Sequence, residues 1–483
     1  LLLGIDIGTT GVKAAAFDAS GRELAEAYEA CPCAILEEGR VEADAEAWWL
    51  ATTRVCRRIA GAVRPGHVEA IGVVGQAPTA VLVDPEGRTV RPAIVWLDVR
   101  AGEEARAIAR ALGAGPGESV HGNRLHPYYL GPKLAWLRRH EPASLDRARF
   151  VLQSHAFVVF RLTGEAACDP STAMLSTPLY DPATRAWSRP GADAAGIDVT
   201  ILPHLVRAES VVGRVTRAAA EATGLREGTP VASGGGDFAA AALGSGVVEE
   251  GEACLMLGTA GNLLVPRKEP RFDARLINSH HVGVDRWLVL GGTLCGGALE
   301  WFRAACAPGV AWDVLEREAA GVPPGAGGVV MLPYLRGERT PMWDEQARGA
   351  FFGLDAAHGR GHLFRALVEG IALGFRDCLS VVEEQGVRFR EVVANSGGGK
   401  SALLRQALAD ALEIPVVWVP EGDATVTGAA MLAAMALGRK GPSLRREDAV
   451  RHEPDRRASE ELRDVLERRR ALYSATLAAR GAR

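Results

Sequence analysis

Lysine is scarce in this chain of 483 residues: Lys13, Lys133, Lys268, Lys400 and Lys440 are the only five, and arginine supplies the rest of the 55 basic side chains. Against 59 acidic residues the formal charge is −4. That balance gives no field for holding a polyanion, so nucleic acid is not an expected partner. No apolar run approaches the roughly 18 residues that span a bilayer, and Leu1–Ile7 lacks the basic segment that opens a signal peptide. No membrane partner is expected, and the expected location is cytoplasmic. Cysteine is sparse and scattered, at Cys31, Cys33, Cys56, Cys168, Cys254, Cys295, Cys306 and Cys378. No CxxC pair occurs, and Cys31-Pro-Cys33 has no histidine or second pair nearby to complete a zinc site. Buried, reduced thiols are the expectation.

The chain is otherwise ordinary globular material, 48% apolar and 24% charged, long enough for two to four domains. Leu1 to Ile7 is a strand-like run ending in the turn Gly8-Thr9-Thr10-Gly11. A second run, Val12 to Phe17, leads through Asp18-Ala19-Ser20-Gly21 into a third. Trp48, Trp49, Thr52, Val55 and Ile59 give helical periodicity over Ala45 to Ala62, and Val68 to Val74 reads as a buried strand. This alternation implies a mostly parallel sheet covered by helices. The opening recurs at Leu255-Met256-Leu257-Gly258-Thr259-Ala260-Gly261, followed by Leu263 to Val265. A duplicated α/β domain follows, with one glycine turn per copy facing a shared cleft and a boundary near Gly244-Ser245-Gly246. The domains expected are 1–245 and 246–483. Near the end, Leu462, Val465, Leu466, Leu472 and Tyr473 fall on one face of a helix that docks on the body.

Three glycine elements can carry chemistry. In Asp6-Ile7-Gly8-Thr9-Thr10-Gly11-Val12-Lys13 the glycines bring backbone N–H groups close to an anion. Thr9 and Thr10 add hydroxyls, Lys13 adds a point charge, and Asp6 can hold Mg²⁺ through water. Together these are the parts of a nucleotide-phosphate site. Ser396-Gly397-Gly398-Gly399-Lys400-Ser401 nearly fits a P-loop, but Ala394 stands where the first glycine is required, so a Walker site is rejected. Bare backbone at a helix start suits a flat adenine or ribose instead. In Ser233-Gly234-Gly235-Gly236-Asp237-Phe238 a carboxylate enters a helix where the dipole favours its ionised form. Such an aspartate can accept the proton of a hydroxyl that attacks a phosphoryl group.

These elements, together with Leu332-Pro333-Tyr334-Leu335-Arg336-Gly337-Glu338-Arg339-Thr340-Pro341, Gly349 to Leu354, Gly131 to Leu137 and Trp96 to Arg100, resemble the FGGY carbohydrate kinases. The resemblance is to the xylulokinase branch and runs from Gly4 to about Leu437. It implies an α/β fold of two actin-like, ribonuclease-H-like domains, each a mixed sheet with flanking helices, around a catalytic cleft. It implies ATP and Mg²⁺, with Asp237 as the base on the sugar hydroxyl and Asp6 placing the metal. Thr9, Thr10, Lys13, Gly258 and Thr259 would surround the triphosphate. Gly397, Gly398, Gly399 and Lys400, with Gly422 and Asp423, would lie around the adenosine. Gln76, Ala77, Pro78, Asp237 and Phe238 occupy the sugar-contacting places.

The last group departs from the branch, in which the glutamine is followed by Met-His and the base by Asn. Hydrogen-bonding groups have thus become Pro78 and Phe238, which can shift substrate choice. His126, Tyr128, Tyr129 and His155 are candidates to restore polar contacts. Arg100, Lys133 and Arg339 stand open between ligand and ion-pair roles. The resulting expectation is phosphorylation of a pentulose such as D-xylulose to its 5-phosphate. Another ketose, a polyol or a deoxysugar is the alternative within the family, and an actin- or chaperone-like ATPase the alternative outside it. Association as a homodimer is an expectation that no residue supports.

Overall fold

The β-rich runs that open the chain pair as an antiparallel meander, because turns as short as Gly8–Gly11 can only return a strand beside its predecessor. The structure, a computed structural model, describes residues 1–36, 39–63, 68–115, 117–420, 422–442 and 448–481. β1 (Leu2–Ile7), β2 (Gly11–Phe17) and β3 (Glu23–Ala30) form the meander, with Ile7 opposite Val12 at the first turn. Helix α1 (Ala45–Ala62) starts at Asp44, whose side chain accepts the Glu46 N–H at 2.9 Å, and buries Trp48, Trp49, Val55 and Ile59. β4 (Ala70–Gly75) then joins β1 in parallel. β5 (Val211–Arg214) is antiparallel to β6 (Pro230–Ala232), which runs parallel to β4. The sheet order is β5-β6-β4-β1-β2-β3, and the two-residue β7 (Gly235–Gly236) lies against the end of β4.

The second half repeats the plan. Helix α2 (Asp237–Gly244) leads to β8 (Glu252–Leu257) and β9 (Ala260–Arg267), an antiparallel pair. β10 (Ile277–His280) and β11 (Trp287–Leu294) extend that side, followed by helix α3 (Gly296–Cys306) and the long helix α4 (Arg360–Glu384). β12 (Glu391–Asn395) lies parallel to β8; helix α5 (Ala402–Leu412) crosses over to β13 (Val416–Trp418), parallel to β12. After helix α6 (Ala424–Ala436), β14 (Val450–His452) closes the edge antiparallel to β13, and helix α7 (Arg456–Gly481) ends the described chain. The order β10-β11-β9-β8-β12-β13-β14 reproduces the first sheet: a meander, two parallel neighbours, one antiparallel edge. Both sheets are therefore mixed, not mostly parallel; the glycine hairpins impose the antiparallel half.

Docking of α7 follows the periodicity: Leu462, Val465 and Leu466 are buried in the second core. The buried Arg469 of the same helix pairs with Asp377 and donates to the Tyr334 hydroxyl at 2.6 Å. All eight cysteines are free thiols, and Cys306 is exposed, contrary to the expectation of burial.

Helix α6 does not stay with its own half. It packs on the face of β1 and β4, where Gly4 and Gly72 admit its backbone: a Cβ at these positions would stand 2.2 Å from Val426 O and 1.9 Å from Ala429 O. It also crosses α2 at two reciprocal glycines. A Cβ at Gly244 would lie 1.9 Å from Ala424 O, and one at Gly428 would lie 2.0 Å from Ala240 O. Gly428→Ala must therefore push the helices apart, and we expect a loss of about 1–3 kcal/mol, read as a lower urea midpoint. Gly61→Ala, in α1 with nothing within 4 Å of the added methyl, should instead gain roughly 0.5–1 kcal/mol.

Candidate active site

The first glycine turn is braced from below. Gly8 N–H donates to Gly11 O at 3.0 Å, and the Gln76 amide donates to Gly8 O at 3.2 Å while receiving the Thr9 hydroxyl at 3.5 Å. Gln76 is 1% exposed, so its side chain supports the turn rather than opening into the cleft. Trp96 Nε1 donates to Thr9 Oγ1 at 3.3 Å, and Thr10 is exposed. At the second turn Thr259 is exposed, and the start of α3 holds the loop: Gly296 N–H donates to Gly258 O and Gly297 N–H to Thr259 O, both at 2.9 Å. Sequence reasoning missed this support. Its signal was present, a strand followed by Cys295-Gly296-Gly297 and a helix, the same pattern that marks the other sites.

Lys13 points from the first turn toward the adenosine side, with Glu26 at 3.1 Å and Asp423 at 3.2 Å. Asp423 caps α6, accepting the N–H groups of Thr425 and Val426 at 2.9 and 3.2 Å. A cleft of about 700 Å³ opens here, lined by Lys13, Ser396, Gly397, Lys400, Trp418 and Asp423. Of the three consecutive glycines only Gly397 faces open space. Gly398 presses on Leu257 O and Gly399 on the Trp418 ring, each leaving 2.8 Å for a Cβ. These two are therefore bare because the protein itself approaches them, not to admit a base. Nor do they start the helix. Gly397–Lys400 is a 3₁₀ turn, and Ser401 caps α5 by accepting the Leu404 N–H at 3.1 Å.

The two acids meet between the turns. Asp6, next to last in β1, stands opposite Lys13 in the ladder. Its Oδ1 is buried without a hydrogen-bond partner. Burial holds this carboxyl well above the usual range, Asp237 and Asp423 push it the same way, and Lys13 opposes them. Asp237 opens α2, its Oδ1 accepting the Phe238 N–H at 2.7 Å, and burial pushes it up to about 6. The backbone before it is fixed twice over. Ser171 Oγ accepts the Gly236 N–H at 3.1 Å, and Ser279 from the second sheet donates to Ser171 O at 2.8 Å. Among the described residues no three His, Cys, Asp or Glu side chains form a metal-ligand cluster. Mg²⁺ needs only one or two carboxylates besides phosphate oxygens and water, and the unpartnered Asp6 Oδ1 fits that requirement.

On the sugar side, Phe238 and Ala77 are buried in one apolar cluster with Val74, Tyr128 and Tyr129. Pro78 follows Ala77 through a cis peptide bond. The Tyr128 hydroxyl donates to Ala77 O at 3.3 Å; burial raises its phenol, and Asp237 is close enough to push it the same way. Tyr128 is therefore the polar group of the four candidates that stands near the acid. His155 is fully buried, and burial pushes it down to about 3, which leaves it neutral under Gly234. His126 packs against Trp343 with its ring tilted by 58° and meets Glu345 at 3.0 Å. Lys133 is structural: its buried ammonium donates to Asp98 O, Pro127 O and Tyr128 O at 2.9, 2.6 and 2.8 Å, and burial pushes it down to about 7. Arg100 is likewise consumed by Asp98 and Glu42. Arg339 alone of the three has no carboxylate or set of carbonyls to hold it among the described residues: it donates to Asn262 Oδ1 at 3.1 Å, against the rings of Trp96 and Tyr128.

With this geometry in hand, comparison with known proteins is direct. Residues 1–244 match the N-terminal domain of the FGGY family of carbohydrate kinases, and residues 253–437 match its C-terminal domain. A xylulose kinase of Klebsiella pneumoniae is 33% identical over 442 residues, 90% of this chain and 90% of that one. A xylulose kinase of Bacillus subtilis is 31% identical over 442 residues, 90% of this chain and 88% of that one. The crystal structure of xylulose kinase from Rhodospirillum rubrum has a TM-score of 0.89 at 31% identity, covering 100% of both chains.

The raised Asp6 carboxyl has a consequence for stability. A carboxyl that holds its proton more tightly folded than unfolded works against the fold once ionised, and that penalty fades as the pH falls from the raised folded value toward the unfolded one, about 4, below which it is gone. Asp6→Asn should therefore resist urea better than the parent at pH 8, with the difference shrinking toward pH 4. Adding MgATP at pH 8 should reverse the order, because only the parent gains fully from the ligand. Equal urea midpoints at both pH values would contradict the burial of this charge.

Proposed function

The chain belongs to the FGGY family of carbohydrate kinases and is an ATP-dependent sugar kinase; we propose that its acceptor is a pentulose, D-xylulose, which it converts to the 5-phosphate with Asp237 as general base. One observation carries the chemistry. A buried carboxyl with a pKa of about 6 opens a helix beside Tyr128 and beside Asp6, in the strand that leads into the first glycine turn. The sugar identity rests on the xylulose kinases at 31–33% identity over nine-tenths of the chain. Membership of the family removes the actin- or chaperone-like alternative.

In this reading residues 1–245 carry the sugar pocket and the first phosphate turn, and residues 246–483 carry the second turn and the adenosine site. Backbone N–H groups at Gly8–Gly11 and Gly258–Gly261, with Lys13, align the triphosphate. Lys400, Gly397 and Asp423 border the nucleoside, while Gly398 and Gly399 shape that border from behind. Mg²⁺ held through Asp6 would neutralise charge on the phosphate oxygens. Asp237 takes the proton of the sugar hydroxyl as its oxygen attacks the γ-phosphorus in line, and the electron pair of the breaking bond leaves with ADP. Closure of the two halves excludes water, the competing acceptor.

A second acceptor class keeps a specific support: Pro78 and Phe238, the latter buried in an apolar cluster with Ala77, stand where the branch places hydrogen-bonding side chains. A panel of ketoses, polyols, deoxysugars and sugar acids with coupled ADP detection decides between them. Turnover of D-xylulose is the expected result, and silence there with turnover elsewhere rejects it. Asp237→Asn should lower kcat by at least about 100-fold while MgATP still binds, as measured by calorimetry. Because the base must be ionised, kcat/KM should fall about tenfold per pH unit below about 6, and rise to a plateau above it.

A further inference from the structure

We propose that Arg339 is the residue that receives the phosphoryl group in transit, gripping its equatorial oxygens between nucleotide and sugar. The inference rests on the kinase reading above but not on which sugar is used. Its basis is position and unspent charge. The loop carrying Arg339 belongs to the second half of the chain, yet its guanidinium stacks against Trp96 at 5.8 Å and Tyr128 at 4.9 Å, both from the first half. Trp96 donates to Thr9 of the first phosphate turn. Asn262, which takes one N–H of Arg339 at 3.1 Å, stands on β9 just beyond the second turn. Tyr128 is the aromatic neighbour of Asp237. Arg339 thus touches the support of the first turn, the residue that follows the second, and the neighbour of the base.

The charge on this arginine is also available. A guanidinium offers five donors; on the half-buried Arg339, Asn262 takes one of them and the Tyr128 hydroxyl lies within reach of another. Among the described residues no carboxylate forms an ion pair with it. Glu338, next in the chain, does not compensate: it is buried against the Thr293 hydroxyl at 3.2 Å, and burial pushes its carboxyl up to about 8, so it is uncharged at neutral pH. The contrast with Arg100 and Arg469, each locked onto carboxylates, separates this arginine from the structural ones. Aromatic faces on one side and an amide on the other leave the planar fork fixed and open, which suits two parallel bonds to phosphate oxygens. No bond to Arg339 forms or breaks: the sugar oxygen bonds to phosphorus, the bond to the ADP oxygen breaks, the proton goes to Asp237, and the arginine offsets the negative charge spread over the three oxygens that do not react.

The test has one arm that needs no sugar. With Mg²⁺ present, binding of ADP and of ADP with aluminium fluoride, a mimic of the planar phosphoryl group, is measured for the parent, Arg339→Gln, Arg339→Lys and Arg336→Gln. The parent should bind the fluoride complex more tightly than ADP. Arg339→Gln should lose at least about tenfold of that preference with ADP affinity unchanged, Arg339→Lys should keep part of it, and the exposed Arg336→Gln should match the parent. The second arm uses whichever sugar the parent phosphorylates: Arg339→Gln should lower kcat roughly 100–1,000-fold with little change in the KM for sugar. A parent without preference for the fluoride complex, a Gln variant that keeps it, or a loss confined to sugar KM overturns the proposal. A parent that phosphorylates no sugar in the panel overturns the kinase reading instead, and the fluoride arm still judges Arg339 by itself.

Discussion

The governing constraint in this molecule is the meeting of negative charge with negative charge. In the proposed reading a triphosphate comes to rest beside Asp6, Asp237 and Asp423, and the first two carboxyls already resist ionisation. Only one lysine, Lys13, stands among them, and it is shared with Glu26. In that reading Arg339, Lys400 and the bound cation add to its charge, together with backbone N–H groups of the two glycine hairpins and the N-terminal ends of helices. The duplicated sheet follows from that need. Each copy supplies one hairpin at the end of its first strand, and each hairpin is braced by a neighbour, Gln76 in one and the start of α3 in the other.

The same constraint separates the aspartates by role. Asp423 spends its carboxylate on two N–H groups at the start of α6 and on Lys13. Asp6 keeps one oxygen without any partner, which is costly unless a cation is expected there. Asp237 accepts one N–H from its own helix and is otherwise poised near the pH at which a base works best. Three identical side chains differ because of what their neighbours leave them.

Much of this was legible in sequence because it is local. The helix at Ala45–Ala62, the two hairpins and the strand–glycine–aspartate entry into α2 each declare themselves within a dozen residues, through periodicity or turn chemistry. What escaped depends on partners far along the chain. Gly398 and Gly399 look like an open ligand ledge, yet Leu257 and Trp418 fill the space beside them. Arg100, Lys133 and Arg339 could not be told apart until their partners were seen: carboxylates for the first, three carbonyls for the second, rings and an amide for the third. Gln76 was read as a sugar contact because nothing local shows that its amide already belongs to Gly8 and Thr9.

The seating of α6 on the first sheet bears on how the molecule is made. That sheet draws every strand from residues before 237, but one of its faces is covered by a helix translated almost two hundred residues later. On the ribosome the early half emerges with an apolar surface that nothing nearby can cover, and at roughly 5–20 residues per second it waits on the order of ten seconds or more for its lid. A nascent chain of this design is therefore most in need of a chaperone midway through synthesis, and a gene cut between the halves would yield a first fragment missing part of its own interior.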